Sequence, residues 1–288
     1  MFALSFMTLA AASVARAATY SISDTFVGSS FLNGFTHEAI ADPTHGRVNY
    51  VDQSTAQRLN LTYASGNTFI MRSDYTTTLN PSGAGRNSVR IQSRKQWSTH
   101  VEILDVRHMP QGCGSWPAYW TTNTNNWPAA GEIDIIEGVN DQAPNAATLH
   151  TTAGTTTTTD CNWQVNGNAG CGVKNPLANS YGPTFNSNGG GWYAMERTSS
   201  YIKVWFWPRN SATVPQQVRN GGSSIDTSTW GTPFAAFVNN SCDINSHFGP
   251  ENIIINLTFC GDWADYVNYN PAAFKNAYWD IAALRVYQ

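Results

Sequence analysis

Charge is scarce in this chain. Only 12% of its 288 residues are Asp, Glu, Lys or Arg, with 16 basic residues against 19 acidic, and the usual share is about twice that. No basic stripe exists to neutralise phosphates, which argues against a nucleic-acid partner and for a neutral one. Long apolar runs are missing as well. A bilayer span takes about 20 residues, whereas the run from Phe2 to Val14 is shorter and leads into Ala15-Arg16-Ala17, a small-x-small cleavage pattern. Residues 1–17 therefore read as a signal peptide and 18–288 as a single domain, secreted to the extracellular space, with no membrane partner and expected to be a monomer.

Helical periodicity is absent. No segment holds a 3.6-residue apolar period over several turns, which excludes a helical fold, and neither a linker nor an internal repeat breaks the chain. The five cysteines, an odd number, lack the C-x-x-C and H-x-x-x-H spacings of zinc sites. In an oxidising compartment they pair. Cys161 and Cys171 bracket a short Asn/Gly-rich loop and are the first expected pair, Cys242 and Cys260 the second, which leaves Cys113 alone.

What the sequence does have is aromatic residues and short β-like runs bounded by Gly, Pro, Asn or Ser. Runs at Ser88–Ser93, His100–Val106, Glu132–Glu137, Thr148–Thr151, Trp192–Arg197, Ile202–Trp207, Asn252–Thr258 and Tyr278–Tyr287 give an all-β pattern. Two antiparallel sheets packed face to face satisfy it, as a jelly-roll sandwich. Tyr20 to Gly46 has few periodic apolar residues and is expected to wrap an edge; Thr155 to Thr159 reads as loop. Trp192, Trp205 and Trp279 have apolar neighbours and belong to the core. Of three N-glycosylation sequons, at Asn60, Asn239 and Asn256, the last lies in a buried-looking strand, and Asn60, before a turn-like stretch, is the best acceptor.

One stretch resists a structural explanation: Gly131-Glu132-Ile133-Asp134-Ile135-Ile136-Glu137-Gly138. In a plain strand Glu132, Asp134 and Ile136 share one face and Glu137 points away. A β-bulge between Asp134 and Glu137 brings Glu137 round to the face of the other two acids. A row of three like charges is repulsive, and a strand selected for stability alone does not concentrate it. Two carboxyl groups about 5 Å apart are what a retaining glycosidase uses, one as nucleophile and one as acid/base. A surface strand with polar residues outward is the bland alternative. Calcium is the other, but an extended strand does not wrap an ion with six to eight oxygens; no metal or cofactor is expected. Trp116, Trp120 and Trp127 precede the acids, and indoles on loops or strand ends stack naturally on flat apolar sugar faces.

The six residues Glu132-Ile133-Asp134-Ile135-Ile136-Glu137 resemble the E-x-D-x-x-E signature of glycoside hydrolase family 16 in its bulged form. The resemblance to fungal laminarinase-type members extends through Phe35-Thr36-His37-Glu38, the stretch Asp42 to Tyr50, Gly85 to Arg90, Asp105 to Pro110, Gly189 to Arg197 and Ala277 to Ile281, so it covers essentially the whole mature chain. It implies a concanavalin A-like jelly roll with an open cleft, and retaining hydrolysis of β-1,3- and mixed β-1,3/1,4-glucans, a neutral polysaccharide partner. It implies Glu132 as nucleophile, Asp134 as assisting acid and Glu137 as acid/base, with Trp116, Trp120, Trp127, Arg90, His150 and Trp263 as cleft residues. Segments near Thr155 and Trp263 are shorter than in most fungal relatives. A glucan transglycosylase and a non-catalytic glucan-binding lectin are the competing functions on the same sandwich.

Overall fold

The computed structural model describes residues 19–154, 160–239 and 243–288. The expected leader, the Thr155–Thr159 run and Cys242 lie outside these. Two antiparallel sheets dominate. One has seven strands in the order Cys171–Lys174, Ala146–His150, Glu132–Glu137, Ser115–Thr122, Asn252–Phe259, Arg90–Ser93 and Phe35–His37. The other has nine, centred on Tyr278–Tyr287, His100–His108 and the hairpin Gly191–Arg197/Tyr201–Pro208. The fold is the jelly-roll sandwich, and no described helix exceeds six residues.

Alternation in the strands decides which side chains fill the space between the sheets. Ile133, Ile135, Leu149, Ile253 and Ile255 point inward from the smaller sheet and meet Leu104, Val106, Met195 and Leu284 from the larger. The larger sheet is apolar on its other face as well. There Trp192, Trp205 and Trp207 pack with Val214, Val218 and Trp230 of the segment that crosses it. Among the described residues the smaller sheet has no such cover, and its outer face carries an open cleft.

One expectation about the strands holds and one fails. With Phe35–His37 at the margin of the smaller sheet, Thr19–Phe26 follows the margin of the larger: Thr19–Ser21 pair only with Ser224–Asp226 and Ile22–Phe26 only with Tyr278–Tyr287. It hides Tyr20 and Phe26 alone, so its place rests on ladder hydrogen bonds that leave no apolar signature. Ser115–Thr122, expected as loops or strand ends, is instead a central strand between Glu132–Glu137 and Asn252–Phe259. Its Pro117 argues against a central strand. The pairing with the acid-bearing strand stops at Ala118, however, so a donor at 117 has no strand partner on that side.

The Cys161–Cys171 disulfide forms, with Cα atoms 4.6 Å apart. Cys260 is a free thiol, as is Cys113; the expected Cys242–Cys260 pair involves a residue outside the described ones. Cys260 sits at the end of Asn252–Phe259, its N–H held by the carbonyl of Gly114 at 2.9 Å, in the turn region beyond that strand. Asn256 is buried, with Oδ1 accepting from Trp120 Nε1 and Nδ2 donating to Tyr50, so no glycan fits there. Asn60 is exposed at a left-handed backbone position, φ 55°.

Candidate active site

The acid row is built by an irregular strand. Asp134 pairs with Trp120 and Ile136 with Tyr119, so Ile135 is the extra residue. Ile135 and Ile136 are both fully buried in the core, and Glu137 returns to the outer face beside Glu132 and Asp134. Asn145 holds the irregularity open. Its Nδ2 donates to the carbonyl of Ile135 at 2.8 Å and its Oδ1 accepts the N–H of Glu137 at 3.1 Å. Both backbone groups lost from the ladder at the bulge are thereby satisfied. Nothing in the sequence near Asn145 marks this role, since it depends on two residues eight and ten positions earlier.

The row lines an open cleft of about 390 Å³ on the outer face of the smaller sheet. Trp116, Trp120, Trp127 and Arg90 line it too. Trp116 Nε1 donates to Glu137 Oε1 at 3.0 Å and Trp127 Nε1 to Glu132 Oε2 at 2.6 Å, so two indoles hold the two glutamates. Arg90 is paired with Glu38 at 2.7 Å and lies over the Trp120 ring, and Trp120 is bonded to Asn256. These contacts fix the cleft floor. Asp42 enters from the 42–46 turn, where its carboxylate accepts from Thr258 and from the N–H of Gly46. His150 lies opposite Glu132 in the register, buried, with Nε2 3.3 Å from Asp134 Oδ2. His150 and Trp263, both expected at the cleft, are not among its lining residues. His150 is buried behind Asp134, and Trp263 stands on the Gly261–Trp263 turn, edge-on to Tyr266 and beside Gly114, because the turn leaves the sheet where the strand ends.

Electrostatics raises both glutamates. Burial, reinforced by the charge of Asp134, pushes Glu137 up to about 8, against a smaller downward pull from Trp116 and His150. Glu137 therefore carries a proton at neutral pH. Burial and Asp134 also push Glu132 up, while His150 and the Trp127 N–H favour its ionised form. Burial alone lowers the His150 imidazole, but Asp134, Glu132 and Asn168 outweigh it and hold it at about 9. An imidazolium is thus placed in the row, where it offsets one of the negative charges. Glu132, Asp134 and His150 bring one donor atom each within 4.8 Å of one another.

The family model described as "XgeA-like, catalytic GH16 domain" matches residues 35–287. Laminarinase 16A from Phanerochaete chrysosporium, solved with two beta-glucans (6-O-glucosyl-laminaritriose) in both donor and acceptor sites, is 61% identical. It superposes with a TM-score of 0.93 over 94% of this chain and 100% of that one. An elongating GH family 16 beta-1,3-glucosyltransferase is 38% identical, with a TM-score of 0.84 over 93% of this chain and 100% of its own. A protein named "Probable endo-1,3(4)-beta-glucanase" from Aspergillus fumigatus is 41% identical over 94% of this chain and 46% of that protein. The chain spans about half the length of the first curated relatives it matches. With the bulged acid row, the jelly roll and these matches in agreement, the chain belongs to glycoside hydrolase family 16.

Proposed function

We propose that the protein is an endo-β-glucanase that hydrolyses β-1,3- and mixed β-1,3/1,4-glucans with retention of configuration. The observation that carries this reading is the bulge at Ile135, which puts Glu132, Asp134 and Glu137 on one face of an open, tryptophan-lined cleft. A lectin needs the tryptophans but not two glutamates brought onto one face with an aspartate between them. In the first step the Glu132 carboxylate attacks the anomeric carbon while Glu137 gives its proton to the departing glycosidic oxygen. Trp127 and the His150–Asp134 pair hold and balance the nucleophile's charge. In the second step the Glu137 carboxylate takes a proton from water, the water oxygen bonds to the anomeric carbon, and Glu132 leaves.

A glucanosyl transfer to a second sugar uses the same first step and differs in the acceptor. The likeness to the elongating glucosyltransferase supports testing it. Incubation with laminarin, lichenan and a purely 1,4-linked control, followed by sizing of the products, separates these readings. Shorter products and new reducing ends support hydrolysis; products longer than the substrate support transfer; no change with any glucan overturns both. We also infer secretion with cleavage after Ala17 and glycosylation at Asn60, on the apolar leader, the Cys161–Cys171 disulfide and the exposure of Asn60. Amino-terminal sequencing and peptide mapping of secreted protein test these, and an intact leader or an unmodified Asn60 overturns the respective inference.

A further inference from the structure

Between Cys161 and Cys171, ten positions apart, the chain forms a loop that reaches the acid row by two separate routes. Its base is stitched to the end of the Ala146–His150 strand: the Thr151 N–H donates to the Cys161 carbonyl at 2.9 Å, and the Trp163 N–H to the Thr151 carbonyl at 3.0 Å. Asn166, Gly167, Asn168 and Gly170 all take positive φ, which lets Asn-Gly-Asn-Ala-Gly double back sharply. The first route starts at Trp163, whose ring packs at 5.2 Å against Trp127, the indole that donates to Glu132. The second starts at Asn168, whose Oδ1 lies 2.8 Å from His150 Nδ1, while Nε2 of the same ring faces Asp134. Gly170 closes the loop onto that ring. A Cβ there would stand 2.6 Å from the Leu149 carbonyl and 2.8 Å from His150 Cε1.

We propose that the disulfide-closed loop is a positioning element for the nucleophile side of the site, with Asn168 and Trp163 as positioning residues acting through His150 and Trp127. The inference rests on the glucanase reading for its kinetic consequences alone. Asn168 Oδ1 accepts from Nδ1–H and so fixes Nε2 as the position that meets Asp134, whose Oδ2 is buried with no hydrogen bond of ordinary geometry. The ionisable groups facing His150 are Asp134 and Glu132, with Glu137 further along the same strand. Asn168 comes from the loop. Among the described residues, the adjoining Cys171–Lys174 strand places Cys171 opposite Leu149, and Cys171 is oxidised. Trp163 acts sterically, backing the indole that holds Glu132 Oε2.

The test is an NMR titration of the His150 imidazole nitrogens in wild type, Asn168→Ala and Asn168→Asp, alongside kcat and KM on laminarin oligosaccharides. Loss of the acceptor in Asn168→Ala shifts the His150 titration to lower pH and lowers kcat about 10-fold, with KM changed far less. Asn168→Asp restores an acceptor and returns the titration to the wild-type pH or above. Superimposable wild-type and Asn168→Ala titrations, or a downward shift in both variants, overturn the role of Asn168. Trp163→Phe keeps a ring against Trp127 and retains kcat that Trp163→Ala loses; equal rates in the two overturn the role of Trp163. The double variant Cys161→Ala/Cys171→Ala reproduces the Asn168→Ala titration, and a wild-type titration there overturns the part assigned to the disulfide. Wild type inactive on every glucan would remove the glucanase reading, while the His150 titration would still decide this one.

Discussion

Two clusters of buried ionisable groups lie in this sandwich, on opposite faces of the same sheet. The first is the row Glu132, Asp134, Glu137 and His150, on the outer face of the seven-stranded sheet. The second lies between the sheets. There Arg197 Nη1 stands 3.3 Å from Glu251 Oε2, Thr121 donates to the same oxygen at 2.6 Å, and His100 lies 3.8 Å from Glu102. Burial pushes Glu251 up to about 7 despite Arg197, and it drives Tyr119 well above the ordinary phenol range with help from Glu102. By electrostatics alone the two clusters look alike. Space separates them, because the row opens into a cleft of about 390 Å³. In the inner cluster only Arg197 reaches a hollow of about 180 Å³, and no acid of it lines that hollow. A perturbed carboxyl marks a reaction site only where a substrate has room beside it.

Substitutions turn that contrast into numbers. Glu132→Ala is expected to lower kcat/KM by at least about 1000-fold and to leave the protein folded. Relief of a buried like charge should raise its melting midpoint by a few degrees. Activity within tenfold of wild type would remove Glu132 from the chemistry. The inner cluster answers in the opposite sense. Glu251→Ala leaves the Arg197 guanidinium buried without its counter-charge and is expected to cost about 3–5 kcal/mol in urea unfolding, while the folded fraction keeps its kcat. A large fall in kcat with little loss of stability would show that the two clusters communicate, and the comparison would fail. Asn145→Ala comes next. It frees the Ile135 carbonyl and the Glu137 N–H at the bulge, about 1–3 kcal/mol for each group left unsatisfied, and kcat falls with stability because Glu137 loses its support. A stability loss at unchanged kcat would show that the bulge keeps its shape without the clamp.

These effects also mark what the sequence made legible. The acid row was readable because its misfit is local: six residues carry both the alternation and the extra Ile135. The hairpin Gly191–Arg197/Tyr201–Pro208 and the buried positions of Trp192, Trp205 and Trp279 were readable for the same reason. The inner cluster was not, since Arg197 and Glu251 lie 54 positions apart and each looks ordinary in its own segment. Ser115–Thr122 was missed as a strand because Pro117 and two tryptophans resemble a loop until the end of the neighbouring ladder is known. Asn145 and Asn168 sit among turn formers, where asparagine is common for backbone reasons. Only the fold shows that their amides hold Glu137 and His150.

The smallest effect expected is also the most discriminating, because pH acts on both clusters at once. Glu251 titrates at about 7 in the folded protein against about 4.3 in the unfolded chain. The folded state therefore binds the proton more tightly, so its stabilising contribution is full below the unfolded value and is lost as pH rises to about 7. Glu137 follows the same sign, its loss extending to about 8, and His150 loses its contribution between its unfolded value and about 9. These three groups thus lower stability as pH rises from 5 to 9, while His37 and His108, which burial lowers, act in the opposite sense below about 6.5. One proton of difference corresponds to about 1.4 kcal/mol per pH unit. Glu251→Gln should remove about that much of the slope between pH 5 and 7 and leave the slope between pH 7.5 and 9 unchanged. Glu137→Gln should flatten the curve up to about pH 8 and abolish the acid's role in turnover. Urea unfolding at half-unit steps of pH reads both slopes. If Glu251→Gln changes the alkaline slope as much as the acidic one, the inner cluster and the active row titrate as a single unit through the sheet, and the separation drawn between them is wrong.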